Sequence, residues 1–178
     1  MATVAVTSTI PDPGVTRPDG GRERTGFALS VETYVFGRYI CTPPLEEILK
    51  RGYAVATIYP GEFAPDRRAE GVAELRRLSA GHADEETRWG AIAAWAFAYS
   101  RMIDGLERDA RFGPFIAWGH SRYAKSALVA AAYDARIAGV IAHQSGTGGA
   151  SLNRDKAGES VASITQTFPH WFSRRYAA

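Results

Sequence analysis

An α/β fold with a doubly wound, mostly parallel sheet is the class this sequence predicts, and three observations carry it. Apolar runs of strand length at residues 53–59, 115–118 and 139–143 alternate with helical patterns. These runs are mostly apolar, as in strands covered on both faces. The middle run stops at Gly119, Ser121 follows two residues later, and an alanine-rich helical pattern begins at once. Helix, strand, helix, strand in that order implies right-handed crossovers.

Taken in order, residues 11–26 hold Pro11, Pro13, Gly14, Pro18, Gly20, Gly21 and Gly26 among charges, which predicts a loop. Residues 27–35 are compatible with a strand. A short helix is expected at 42–52, with Thr42 as N-cap, Pro43 in the first turn, acids early, bases late and Gly52 as the stop. The strand at 53–59 ends at Pro60-Gly61. Residues 62–83 are polar and read as a loop with a short helix. From Trp89 the apolar residues Ile92, Ala96, Tyr99, Ile103 and Leu106 recur three and four apart, an amphipathic helix of about five turns. Asp84, Glu85 and Glu86 stand before it, where acids suit a helix N-terminus. Pro114 ends the connection, and strand 115–118, helix 122–135 and strand 139–143 complete the pattern.

At 178 residues, 46% hydrophobic and 22% charged, the chain suits one globular domain spanning 1–178, with a loop-rich segment at 1–26. A net charge of +2 gives no reason to invoke nucleic acid or an anionic membrane. The single cysteine, Cys41, excludes an intramolecular disulfide and a cysteine-based zinc site, and is expected to be inert. No stretch approaches the ~18 apolar residues of a membrane span. Residues 1–10 lack the positive region and long apolar core of a signal peptide, so the chain as it stands reads as cytoplasmic.

The strand, turn and helix around Ser121 are the sequence form of a nucleophile elbow, which exposes a serine on a strained turn beside the positive end of a helix. Gly119 and Ala124 supply the small residues that close strand–helix approach needs. Tyr123 stands where the common G-x-S-x-G pattern has its second glycine. A serine hydroxyl needs a base to take its proton and donors aimed at the developing oxyanion. Arg122 offers a backbone N–H and a guanidinium, and Lys125 lies one helical turn further on. Cations there suit a carboxylate or hydroxyl-rich substrate. The alternative for both is an ordinary solvated helix start.

Four histidines could supply the base. His82 lies in a polar loop and reads as a surface residue. His120 adjoins the serine and is expected to line the turn. His143 ends a buried strand and reads as a satisfied core histidine. His170, in Phe168-Pro169-His170-Trp171-Phe172, alone follows the order serine, acid, histidine, with Asp155 or Glu159 between; its alternative is an aromatic packing corner. Residues 144–149 form a glycine-rich loop at the C-terminal end of a strand, where ligands bind in open α/β sheets. That loop lacks both the P-loop ending and the G-x-G-x-x-G spacing, so it shapes a pocket rather than cradling phosphate.

Several ordered motifs resemble the glucuronoyl esterases, or 4-O-methyl-glucuronoyl methylesterases, especially their bacterial branch. They are Gly119-His120-Ser121-Arg122-Tyr123-Ala124-Lys125, Gln144-Ser145-Gly146-Thr147-Gly148-Gly149, Gly158-Glu159-Ser160 and Phe168-Pro169-His170-Trp171-Phe172. Upstream, Glu46-Glu47-Ile48-Leu49 and Trp89-Gly90-Ala91-Ile92-Ala93-Ala94-Trp95 fit as well, so the likeness covers about residues 42–173. The resemblance implies an α/β-hydrolase-like fold and a serine carboxylic-ester hydrolase that cleaves glucuronic acid esters joining xylan to lignin. It implies Ser121 as nucleophile, Arg122 as oxyanion stabiliser, and Lys125 and Glu159 as substrate-binding residues, with no metal or organic cofactor.

Two departures qualify what the resemblance implies. Gln144 stands where many fungal members carry the triad acid, and the family's histidine lies downstream of the P-H-W-F segment, whereas this chain ends at Ala178. The sheet is therefore expected to be incomplete at its C-terminal end, with uncovered apolar surface and oligomerisation as consequences. Three readings follow: an esterase-fold chain whose chemistry belongs to a longer parent, a non-catalytic carbohydrate-binding or truncated protein, and a serine hydrolase that recruits His170 as its base.

Overall fold

A computed structural model describes the backbone of residues 3–7 and residues 44–177 apart from 63, 83 and 156. The loop expected at 11–26, the strand at 27–35, the Thr42 cap and Cys41 lie outside these residues. The described elements run β1 (Thr3–Thr7), α1 (Leu45–Lys50), β2 (Ala54–Ile58), α2 (Arg68–Leu78), α3 (Ala91–Leu106), β3 (Phe115–His120), α4 (Arg122–Tyr133), β4 (Ile137–His143) and α5 (Val161–Thr167).

The four strands form one parallel sheet in the order β2-β1-β3-β4. The chain starts at an inner strand, steps outward to β2, then returns across β1 to place β3 and β4 on the other side. The direction of winding reverses between β1 and β3, and crevices at such switch points hold ligands at the C-terminal strand ends. Thr7 pairs with Gly119 there, so β3 delivers Ser121 to the switch point. The central strand β1 has no counterpart among the expected elements.

Alternate residues of β3 explain how the layers form. Phe115, Ala117 and Gly119 are buried, while Ile116, Trp118 and His120 are half-buried. The buried set faces α3 and α4, joining Tyr99, Ile103, Ala127 and Ala130 in one core. Alanines on α4 let that helix approach the sheet closely. Pro44, at the start of α1, lines a concavity with Trp118, Ile141 and His143, which places the helix start on the opposite face. Helices on both faces make the sheet doubly wound, as expected.

Helix α3 runs 16 residues from Ala91 and buries Ile92, Ala96, Tyr99 and Ile103, with Trp95 beside them. Trp95 and Tyr99 are fully buried, which stabilises the fold by roughly 4 kcal/mol each as an upper bound. The acids before the helix serve elsewhere: Asp84 accepts from the Glu86 N–H and the Thr87 hydroxyl, and Glu85 bonds Arg76 and Arg88. The first N–H groups of α3, at Ala91 and Ile92, instead donate to the carbonyls of His170 (2.9 Å) and Trp171 (3.1 Å). Gly90 permits this docking, because a Cβ there would sit 2.3 Å from the Trp171 oxygen.

A second core gathers Ala64, Leu75, Ile92, Trp95, Tyr123, Ile164 and Trp171 beneath the start of α4. It unites the segment after β2, helices α2 and α3, and residues 164–171. Helix α2, at 11 residues, is longer than the short helix expected in that polar stretch. Helix α5 was not expected at all; Ser160 caps it by accepting from the Ser163 N–H at 3.0 Å.

Candidate active site

Ser121 takes φ 55° and ψ −120° between the last residue of β3 and the first of α4. A non-glycine residue pays on the order of 1–3 kcal/mol for such a conformation, which persists only where the surroundings impose it. Here they do. The Ser121 N–H donates to the His143 carbonyl (2.9 Å), extending the strand pairing, while its own carbonyl accepts from Ala124 (3.1 Å) and Lys125 (3.2 Å), opening the helix. A Cβ at Gly119 would meet the Tyr123 oxygen at 2.2 Å, so only glycine fits beneath the turn. Tyr123 replaces the usual second glycine without penalty because its ring turns into the core, edge-on to Trp95 at 5.3 Å. Burial pushes its phenol up to about 12.

Arg122 is half-exposed, and its Nη1 pairs with Asp66 Oδ2 at 2.7 Å. Its guanidinium carbon lies 5.6 Å from the Tyr123 ring centre and 5.8 Å from that of Trp171. At the N-terminus of α4 its backbone N–H has no acceptor within the helix. Asp66, on the segment between β2 and α2, accepts a second set of bonds at Oδ1, from Trp171 Nε1 (2.6 Å) and His170 Nε2 (2.9 Å). Burial raises the Asp66 carboxyl, but the bonds from His170 and Trp171 and the charge of Arg122 outweigh it and hold the group below the ordinary 3.8. Sequence reasoning missed Asp66; its only signal was a carboxylate after a buried strand, at the sheet edge where ligands bind.

His170 is buried, its Nε2 engaged with Asp66 and its Nδ1 buried with no hydrogen-bond partner among the described residues. No hydrogen bond joins it to Ser121. His120 Nε2 bonds Gln144 Oε1 at 3.0 Å, and its ring lies 5.0 Å from that of His143. His143 is half-buried on the open face of the sheet, not a core histidine, because β4 has a neighbour on one side only among the described residues. His82 bonds the Thr87 hydroxyl and is half-buried.

Lys125 is not on a solvated helix face: it is 4% exposed and its ammonium donates to the Ser145 carbonyl, 5.8 Å from the Trp171 ring centre. The glycine-rich loop thus packs onto the start of α4. Its buried Thr147 donates to the Glu159 carbonyl at 2.7 Å, while the Glu159 residue itself is exposed. The loop is what brings the neighbourhoods of Lys125 and Glu159 to the same sheet edge as Ser121. No group of three or more potential metal ligands occurs among the described residues, and no helix among them is long and apolar enough to cross a membrane.

A family model described as glucuronyl esterase, fungi, matches residues 80–177, more than half of the chain. The chain belongs to the glucuronoyl esterase family. A carbohydrate esterase from an unknown prokaryotic organism is 40% identical over 136 residues, 74% of this chain and 32% of the relative. The 4-O-methyl-glucuronoyl methylesterase of Schizophyllum commune is 35% identical over 94 residues, 47% of this chain and 24% of that protein. Among solved structures, a glucuronoyl esterase from Solibacter usitatus superposes with TM-score 0.74 at 31% identity, over 98% of this chain and 47% of that one. One from Teredinibacter turnerae superposes with TM-score 0.75 at 30% identity, over 98% of this chain and 41% of that one. The α/β-hydrolase-like fold expected from the sequence is that of these glucuronoyl esterases, and the chain spans about a third or less of the curated relatives it matches.

Proposed function

We propose that this chain carries the nucleophile and oxyanion part of a serine esterase acting on glucuronic acid esters. The observation that carries the reading is Ser121 held at φ 55° on the strand–helix turn, with Arg122 beside it ion-paired to Asp66. The relatives' names, which are those of glucuronoyl esterases and 4-O-methyl-glucuronoyl methylesterases, support the substrate class.

In this reading a base removes the Ser121 Oγ proton as Oγ attacks the ester carbonyl carbon. The carbonyl electron pair moves onto oxygen, where the Arg122 N–H and guanidinium stabilise the charge. Collapse of the adduct breaks the bond to the alcohol, which leaves with the proton held by the base, and water then releases the uronate from Ser121. Lys125 and Glu159 bind the sugar: Lys125 from beneath the glycine-rich loop, Glu159 from its exposed rim. His170 is not the base in this scheme, since one ring nitrogen is committed to Asp66 and the other is buried. The base comes from a segment beyond the residues described, in keeping with relatives two to three times longer.

Hydrolysis of benzyl glucuronate tests the proposal. Removing triad members from serine hydrolases leaves roughly 10³–10⁴-fold catalysis from the oxyanion site and binding. The chain should therefore turn the ester over slowly but above buffer, imidazole added as an external base should raise that rate, and Ser121→Ala should lose the increase. An imidazole-stimulated rate unchanged in Ser121→Ala would overturn the nucleophile assignment. Uronate binding without any turnover would replace it with a carbohydrate-binding role.

A further inference from the structure

The arginine beside the nucleophile is a long side chain at a half-exposed helix start, and left alone it would sample many rotamers. An oxyanion donor is useful only if it is already in place when charge develops. The structure supplies what the arginine itself lacks. Asp66 Oδ2 holds Nη1 at 2.7 Å, while Oδ1 is occupied by two donors on rings inclined at 67°, the Trp171 indole N–H and the His170 Nε2–H. With both oxygens engaged the carboxylate cannot turn.

Its partners are themselves fixed. His170 and Trp171 give their carbonyls to the first N–H groups of α3, and the Trp171 ring stacks on Phe168 at 3.8 Å. Gly71 of α2 packs on the imidazole, since a Cβ there would lie 3.3 Å from His170 Cδ2. Among the described residues His170 Nδ1 is buried without a partner, which leaves Nε2–H as the ring's bonded donor, to Asp66. A guanidinium carries five N–H donors, so the ion pair does not exhaust those of Arg122.

We propose that Asp66, locked by His170 and Trp171, is the positioning residue that preorganises the Arg122 guanidinium for the oxyanion. The inference rests on the esterase reading above but concerns residues that touch Arg122 and not the substrate. It gives His170 a task in the site while removing it from proton transfer.

Two readouts test it on the 178-residue chain. In ¹⁵N-arginine-labelled protein the Arg122 guanidinium, assigned by its loss in Arg122→Lys, should show restricted rotation with resolved Nη signals. Asp66→Asn, which keeps the shape but not the charge, should average them. On benzyl glucuronate, Asp66→Asn should lower kcat about 10²-fold with little change in KM, and the double variant with Arg122→Ala should be no slower than Arg122→Ala alone. His170→Gln, which keeps an N–H at the Nε2 position, should retain most of the rate, while His170→Ala should lose it. Trp171→Phe, which deletes one donor with little change of fold, should fall between. Unchanged Nη signals in Asp66→Asn, or losses that multiply in the double variant, would overturn the proposal. If the wild-type chain hydrolyses no ester, the hydrolase reading fails and the guanidinium signals alone decide this one.

Discussion

Gly119→Ala probes the elbow most directly. The added Cβ would meet the Tyr123 oxygen at 2.2 Å, its carbonyl carbon at 2.3 Å and the Ala124 nitrogen at 2.6 Å, all backbone atoms that no rotamer change can move. Relief needs β3 and the start of α4 to separate by about 1 Å, the shortfall from an ordinary Cβ contact. Yet β3 is paired on both sides, Gly119 against Thr7 and Ala142, and α4 is pinned by the Ser121 carbonyl and by the Tyr99 hydroxyl, which bonds the Trp118 carbonyl of β3 at 2.9 Å and the Tyr123 carbonyl of α4 at 3.5 Å. Overpacking of a tight site costs about 1–3 kcal/mol, and a clash confined to backbone belongs at the upper end. For a chain of this size about 3 kcal/mol lowers Tm by roughly 6–12 °C. A misplacement of about 1 Å also costs on the order of 10² in rate, so ester turnover should fall further than stability does. Thermal unfolding by circular dichroism, run beside benzyl glucuronate hydrolysis, reads both. A Tm within about 2 °C of wild type with unchanged turnover would show that strand and helix are not in the close contact described.

Ser121→Gly should melt about 2–4 °C above Ser121→Ala, because glycine relieves roughly 1 kcal/mol of the positive-φ strain that alanine retains; equal melting temperatures would refute the strain. Arg136 bonds Asp134, Asp104 and Glu107 and ties the turn before β4 to α3, but it is a third exposed, so Arg136→Ala should cost about 1 kcal/mol, and less in high salt; a salt-independent loss would count against an ionic origin. The Asp66 and Asp134 carboxyls are both held below 3.8, so their stabilisation is complete above that pH and is lost as pH falls through the folded values. Tm should therefore drop as pH falls below about 4, and less steeply in Asp66→Asn; parallel curves would exclude Asp66. With β4 unpaired on one side among the described residues and Ile141 and Tyr133 exposed, the chain should self-associate, and a monodisperse monomer in light scattering would refute this.

Much of the fold was legible because its signals are local. The stop at Gly52 adopts φ 81°, which side-chain-bearing residues resist, and the three-and-four spacing from Ile92 to Ile103 falls on the buried face of α3. The serine turn could be read from one glycine and one change of periodicity. What stayed hidden depended on distant partners. The strand β1 is five residues whose role at the sheet centre comes only from pairing with β2 and β3, each far along the chain. Asp84, Glu85 and Glu86 looked like helix-start acids, yet the carbonyls of His170 and Trp171 reached that N-terminus first.

The site divides along the same line. Ser121 and Arg122 are neighbours in sequence, so the strand–helix turn that carries them showed in a motif. Lys125 was placed on the right helix, but its burial was not legible, because a loop twenty residues away closes over it through Ser145. Asp66 lies more than a hundred residues from His170 and Trp171, and no local pattern distinguishes it from the other carboxylates of its polar stretch. The same separation explains why His170 resembled a base. Its order after serine and acid suited a triad, whereas its actual partner carboxylate precedes the serine in the chain. A triad histidine keeps one N–H on its carboxylate while its other ring nitrogen takes the serine proton. His170 makes the first contact, through Nε2 to Asp66, but no hydrogen bond joins its Nδ1 to Ser121, so it has the carboxylate half of a triad without the serine half.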